Sequence, residues 1–176
     1  MDKWKERLVE MLIIRNELYK ADKGQLWEYH YPEVAAELSE ILLAQEKLQI
    51  KLSQDYIDFL LCANGWKCFY QLVDLFGTKD FEAENMSLAK RLLNTELEYD
   101  ESLNDIKEYL FPIAVSRTDK DLFVMILAEG KEYGQIIWFA GGEIERFLSF
   151  SVFFETMIEY NKDELKDIIN ENMHNE

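Results

Sequence analysis

Leu52-Ser53-Gln54-Asp55-Tyr56-Ile57-Asp58-Phe59-Leu60-Leu61-Cys62-Ala63-Asn64-Gly65-Trp66 is the stretch that decides the fold. Ser53 is a good helix N-cap, because its hydroxyl can accept from an early backbone N–H that has no partner within the helix. Tyr56, Phe59, Leu60 and Ala63 follow at i, i+3, i+4 and i+7, the spacing of one apolar helix face. Asn64-Gly65 ends the helix, since both residues tolerate the left-handed conformation that helix termini often require. After Gly65 the period shifts towards strand, and 68–75 predicts one short apolar strand with Gly77 as punctuation.

Upstream of this stretch, Trp4, Leu8, Met11, Leu12, Leu18 and Tyr19 form a helical stripe over 3–20, with Gly24 as its stop. Leu26-Trp27-Glu28-Tyr29-His30-Tyr31 is an aromatic connector. Pro32 suits the first turn of a second helix, carried by Val34, Leu38, Ile41 and Leu42, and 46–52 links it to the next. Downstream, Leu88, Arg91 and Leu92 give 86–97 a helical period, and Leu103, Ile106 and Leu110 predict a further helix that Pro112 terminates. Strands are expected over 113–116, 122–128 and 135–140, the last two joined through Gly130 and Gly134, with Gly141-Gly142 turning the chain back into 143–147. Phe150, Phe153, Phe154, Met157 and Ile158 predict a helix from Ser149; Asp163 is expected to cap a separate final helix, and 170–176 to fray.

Helices, then an antiparallel meander, then helices, is an α+β pattern: a central antiparallel β-meander sheet flanked by helices. There is no repeat and no Pro/Gly/Ser linker, so 1–176 is expected to be a single domain. Its core covers about 34–160, with an N-terminal helix over 3–20 and a C-terminal helix and tail over 161–176.

A chain that is 48% hydrophobic and 14% aromatic is not intrinsically disordered. Its 35 acids against 19 bases leave a net charge of −16, which excludes binding to a nucleic-acid backbone by counter-ion release and disfavours anionic membranes. The same charge favours a basic protein partner. It is unevenly spread: 80–108 carries nine acids and three bases, 155–176 seven acids and two bases, and 1–20 is near neutral. The start of the chain is charged, no apolar run nears the roughly 20 residues of a membrane span, and the two cysteines do not make a disulfide framework, so the expected location is cytoplasmic.

Catalytic chemistry has no anchor in the sequence. Cys62 and Cys68 lack tight metal-ligand spacing, His30 and His174 are far from both, and neither metal nor cofactor is expected. No nucleophile elbow, phosphate loop or dinucleotide fingerprint occurs. A hydrolase using two carboxylates stays open as a less favoured reading, because pairs arise by chance among 35 acids. Binding is the better-supported role, and the candidates are the central acids Asp80, Glu82, Glu84, Glu96, Glu98, Asp100 and Glu101 with two aromatics beside acids, Trp27 and Tyr99.

The stretch quoted above resembles the signature of the SUKH superfamily, the Smi/Knr-type domains: Leu52, Tyr56, the pair Phe59-Leu60, Asn64-Gly65 and Trp66, with the upstream acid matched by Glu46. The family's usual proline is Ser53 here, which also suits a helix start. Phe111-Pro112-Ile113-Ala114, Ile137-Trp138-Phe139 and Phe147-Leu148-Ser149-Phe150 resemble later features in the same order, so the resemblance covers about 34–160. It implies an immunity protein that binds and neutralises a cognate toxin domain, often a nuclease, with no cofactor and no enzymatic activity. The −16 charge would then dock on the toxin's basic surface. The alternative it implies is a regulatory or scaffolding interaction module. The signature residues are expected to hold the fold and not to touch a partner.

Overall fold

The computed structural model describes residues 2–23 and 25–174, the side chains of Asp2 and Glu101 excepted. Three helices come first: α1 (Asp2–Ala21), α2 (Leu38–Leu48) and α3 (Gln54–Leu60). A hairpin follows, β1 (Trp66–Tyr70) and β2 (Val73–Leu75), then α4 (Glu84–Tyr99), then β3 (Leu110–Ser116), β4 (Leu122–Ile126), β5 (Ile136–Phe139) and β6 (Glu143–Phe147). The long α5 (Phe150–His174) closes the chain. Every strand pairs antiparallel with its sequence neighbour in the order β1-β2-β3-β4-β5-β6, so the fold is α+β with one open meander sheet.

β3 and β4 are buried at every position, which requires cover on both faces of the sheet. Phe153 of α5 touches the rings of Phe69, Phe123 and Phe147 on one face, at 5.9, 5.1 and 5.5 Å. Residues of the opposite parity, such as Leu122, Val124 and Ile137, are equally buried, and α4 lies against β3 and β4 with Met86, Ala89 and Leu93 inward. On its other side α5 packs along α1, where Trp4 meets Phe59, Phe150 and Phe154 at 5.7, 5.5 and 5.4 Å. Arg7 pairs with Glu155, and Lys162 reaches Glu10 at 2.8 Å.

Several local expectations are corrected. The second helix starts at Leu38, not at Pro32, because Glu33 and Ala36 donate their backbone N–H groups to Gly65 and Leu60 and hold the segment extended. A reciprocal cap between Glu37 and Glu40 then starts the helix, Ile41 alone of the four stripe residues is buried, and Val34 and Leu42 face solvent. The helix also runs on to Leu48, so the link to α3 is shorter than 46–52. The single strand of 68–75 is a hairpin turned at Gln71, whose φ is +46°. Pro112 ends no helix. It lies inside β3 at an irregularity in the pairing with β4, and β2 reaches only as far as Ala114, so its missing N–H is not needed. The segment before it forms two short 3₁₀ turns, Glu101–Leu103 and Lys107–Tyr109. α5 is one continuous helix through His174, and Asp163 pairs with Lys166 at 2.7 Å instead of capping a new one. On α1, Tyr19 is exposed although its spacing places it on the core stripe. On α4 the inward face is Met86, Ala89, Leu93 and Glu96; Arg91 is exposed. Gly24, expected to stop α1, lies outside the described residues.

Candidate interaction surface

The turn after α3 is a clamp between two backbones. The Ser53 hydroxyl accepts from the Tyr56 N–H at 3.4 Å and caps α3. Asn64 Oδ1 accepts from the Thr78 N–H at 2.7 Å, and Asn64 Nδ2 donates to Thr78 Oγ1 at 2.8 Å. Gly65 sits at φ +94°, and a Cβ there would stand 2.6 Å from Gly77 N; one on Gly77 would stand 2.0 Å from the Asn64 carbonyl oxygen. The fully buried Tyr56 hydroxyl donates to the Phe76 carbonyl at 2.7 Å, and burial pushes its pKa well above the ordinary value. Leu52, Tyr56, Phe59, Leu60, Asn64 and Trp66 are all buried, and Gly65 with them; Glu46 is exposed on α2.

The clamp also fixes the aromatic connector, because Trp66 Nε1 donates to the His30 carbonyl at 2.8 Å. At the other end the buried Asp22 accepts from the N–H groups of Leu26 and Trp27, at 3.0 and 3.3 Å, and from the Tyr29 hydroxyl at 3.0 Å. Burial and the Asp22 carboxylate together push the Tyr29 phenol pKa up. Beneath Tyr29 lies Arg15, 3% exposed, its guanidinium 4.6 Å from the ring centre and donating to Asn161 Oδ1 and the Glu28 carbonyl. Burial lowers the Arg15 pKa, against the pull of nearby acids.

Trp27, so held, lines a cleft together with Tyr70 of β1 and Tyr160 of α5. Leu26, Gln71 and Ile168 also line it, and four acids, Asp163, Glu164, Asp167 and Glu171, complete it from one face of the second half of α5. Gln71 donates to Glu164 Oε1 at 2.7 Å, while Glu164 Oε2 is buried without a hydrogen-bond partner among the described residues. Burial raises the Glu164 pKa, opposed by Gln71 and by the charge of Arg15. Tyr160 donates to Glu145 Oε2 at 2.7 Å, which orients its ring towards Tyr70, 6.3 Å away. Carboxylates beside aromatic faces suit a guanidinium or ammonium group.

The described side chains of the central acids are spread over several elements. Asp80 is half-buried beside the clamp, accepts from the Gly77 N–H at 2.8 Å, and has its pKa raised by burial. Glu82 is paired with Lys47 at 2.6 Å. Glu84 begins α4, and Glu98 and Tyr99 lie exposed at its far end, about 21 Å or more away along the helix. Asp100 accepts from the Ser102 N–H and hydroxyl at 2.9 and 2.6 Å, which lowers its pKa. Glu96 is a correction to the expected set: it is buried, and its Oε1 accepts from the Gly141 N–H at 3.0 Å in the β5–β6 turn. The side chain of Glu101 lies outside the described residues. Trp27, grouped with these acids by sequence, is instead brought to the C-terminal run. Gln71 and Glu164 were not singled out; Glu164 lies in an acidic run whose helical spacing with Asp167 and Glu171 marks one face.

A model of the SMI1 / KNR4 family (SUKH-1) matches residues 35–158. The chain belongs to this family. No curated protein matches it. In this SUKH-1 chain the matched span takes in the clamp and the whole sheet, while Trp27 and the acids from Asp163 onwards lie beyond it. The cleft therefore straddles the edge of the matched span: Tyr70 and Gln71 lie inside it, and Trp27, Tyr160 and the acids of α5 lie outside. Among the described residues no helix is long and apolar enough to cross a membrane.

Proposed function

We propose that this SUKH-1 chain is a non-enzymatic cytoplasmic immunity protein, with residues 1–176 acting as one unit that binds and neutralises a cognate toxin domain carrying a basic surface, such as a nuclease. The observation that carries this reading is the cleft in which Trp27, Tyr70 and Tyr160 stand against Asp163, Glu164, Asp167 and Glu171. The aromatics supply contact area with little conformational entropy to lose, and the acids attract a partner built to hold an anionic substrate. An Arg or Lys of the toxin would lie over the aromatic faces with its charge among the carboxylates. The cleft thus takes the place of the central acids as the docking surface, with Glu84, Glu98 and Tyr99 outside it.

The test is co-expression with the toxin domain encoded beside it. Wild-type protein is expected to rescue growth, and Trp27→Ala to weaken toxin binding by about 30-fold, the effect of losing a hot spot worth about 2 kcal/mol. Undiminished toxicity in the presence of the wild-type protein would refute the immunity role. Rescue that survives both Trp27→Ala and neutralisation of Asp167 and Glu171 would refute the cleft.

A further inference from the structure

Along the same connector, Glu28 and His30 meet Cys68 of β1. One donor atom from each lies within 4.8 Å of the other two, and His30 Nε2 is 3.0 Å from Glu28 Oε2. The arrangement is held from behind. Cys68 occupies the β1 irregularity at φ +50°, a conformation uncommon for a residue with a side chain, and its N–H donates to Oδ1 of the buried Asp74 at 3.0 Å. Asn85 donates to the other oxygen of Asp74 at 3.2 Å. A cation already stands among the donors: Arg117 Nη2 lies 3.0 Å from Glu28 Oε2 and contacts the Cys68 sulfur, while its Nε is 3.5 Å from Asp74 Oδ2.

We propose that Glu28, His30 and Cys68 are a three-ligand site for a divalent transition metal, zinc above all, and that Arg117 occupies the position of the ion until the metal displaces it. An imidazole, a thiolate and a carboxylate are the three donor types zinc accepts, and three protein ligands leave a position for solvent. On binding, a sulfur–metal bond forms and the thiol proton leaves to bulk water. The carboxylate and thiolate then balance the dication. Arg117 withdraws to Asp74, so that buried carboxylate stays compensated. His30 and Glu28 are open to solvent on the outer side and give the ion a way in, while Cys68 is buried beneath them. The trio has no sequence spacing of its own, because Cys68 lies far along the chain from Glu28 and His30 and the fold brings them together.

The experiment is titration of the full chain with Co2+, followed by competition with Zn2+. The wild type is expected to develop a sulfur-to-cobalt charge-transfer band that zinc abolishes. Cys68→Ser removes the band, and His30→Gln and Glu28→Gln each weaken binding at least tenfold, since loss of even an outer-sphere partner costs about 10- to 100-fold. Arg117→Gln tightens binding by removing the competing cation, whereas Cys62→Ser changes neither band nor affinity. Circular dichroism checks each variant, and if Cys68→Ser fails to fold, the exposed His30 and Glu28 carry the same test. A wild type without the band, a band that survives Cys68→Ser, or weaker binding in Arg117→Gln overturns the proposal.

Discussion

The acids of 80–108 outnumber bases by six and those of 155–176 by five, and both runs lie on or beside a long helix. In the first run the fold consumes or scatters the charge. Glu96 closes the β5–β6 turn, Asp80 folds onto Gly77, Glu82 pairs with Lys47 and Asp100 turns back on Ser102. In the second, α5 lines up Glu164, Asp167 and Glu171 on one face and the connector sets Trp27 opposite. Similar charge density therefore yields structural carboxylates in one place and a cleft lined by acids and aromatic rings in the other. Three of these four central acids are bound by backbone N–H groups close to them in the fold, whereas Glu164, Asp167 and Glu171 share a cleft with aromatic rings.

The sharpest way to break this contrast is Glu96→Ala. It removes the part-buried hydrogen bond from the Gly141 N–H to a carboxylate, and a loss of about 1–3 kcal/mol is expected, read as a fall in Tm of about 2–4 °C per kcal/mol for a chain of this size. An unchanged Tm would return Glu96 to the surface acids. Next comes the combined change Asp163→Asn, Asp167→Asn and Glu171→Gln. It should slow association with a basic toxin by about tenfold at low salt and flatten the salt dependence while leaving Tm alone, which stopped-flow mixing across a salt series would measure.

Glu164→Gln has a smaller effect with a defined sign. The folded-state pKa of Glu164 is raised, so the folded chain retains the proton after the unfolded chain has lost it, and stability falls as pH climbs from the ordinary value of 4.5 through the folded pKa. The variant should match the wild type below that range and exceed it at neutral pH in denaturant melts. The least effect belongs to Glu98→Gln and Tyr99→Ala at the exposed end of α4, each expected within about 0.5 kcal/mol of wild-type stability. A larger loss, or a clear loss of toxin affinity, would move the docking surface back to the central run.

Features set by neighbours in sequence were legible beforehand. The Ser53 cap, the Tyr56-Phe59-Leu60-Ala63 face, the Asn64-Gly65 stop and the Gly141-Gly142 turn each depend on a few adjacent residues, and so did the family resemblance. Features set by partners far along the chain were not. Val34 carried a helical period but is held extended by Gly65 and Leu60 across the clamp. Pro112 reads as a breaker until β2 is seen to stop short of it. Glu96 carries a signal that charge conceals: it continues the spacing of Met86, Ala89 and Leu93, and an acid on a buried stripe needs an internal donor. Trp27 has acidic neighbours in sequence, whereas the acids that share its cleft come from α5.

The contact between Gly65 and Gly77 bears on motion as well as shape. The turn after α3 and the loop after β2 share hydrogen bonds through Asn64 and Thr78, and their backbones are too close for either to shift alone. Opening one should open the other, so the amide protons of Gly77 and Thr78 should exchange with solvent at a common rate, as one cooperative unit. Because Trp66 hangs the connector from that unit, the same slow opening would set how often the metal-ligand trio and the aromatic wall of the cleft come apart together.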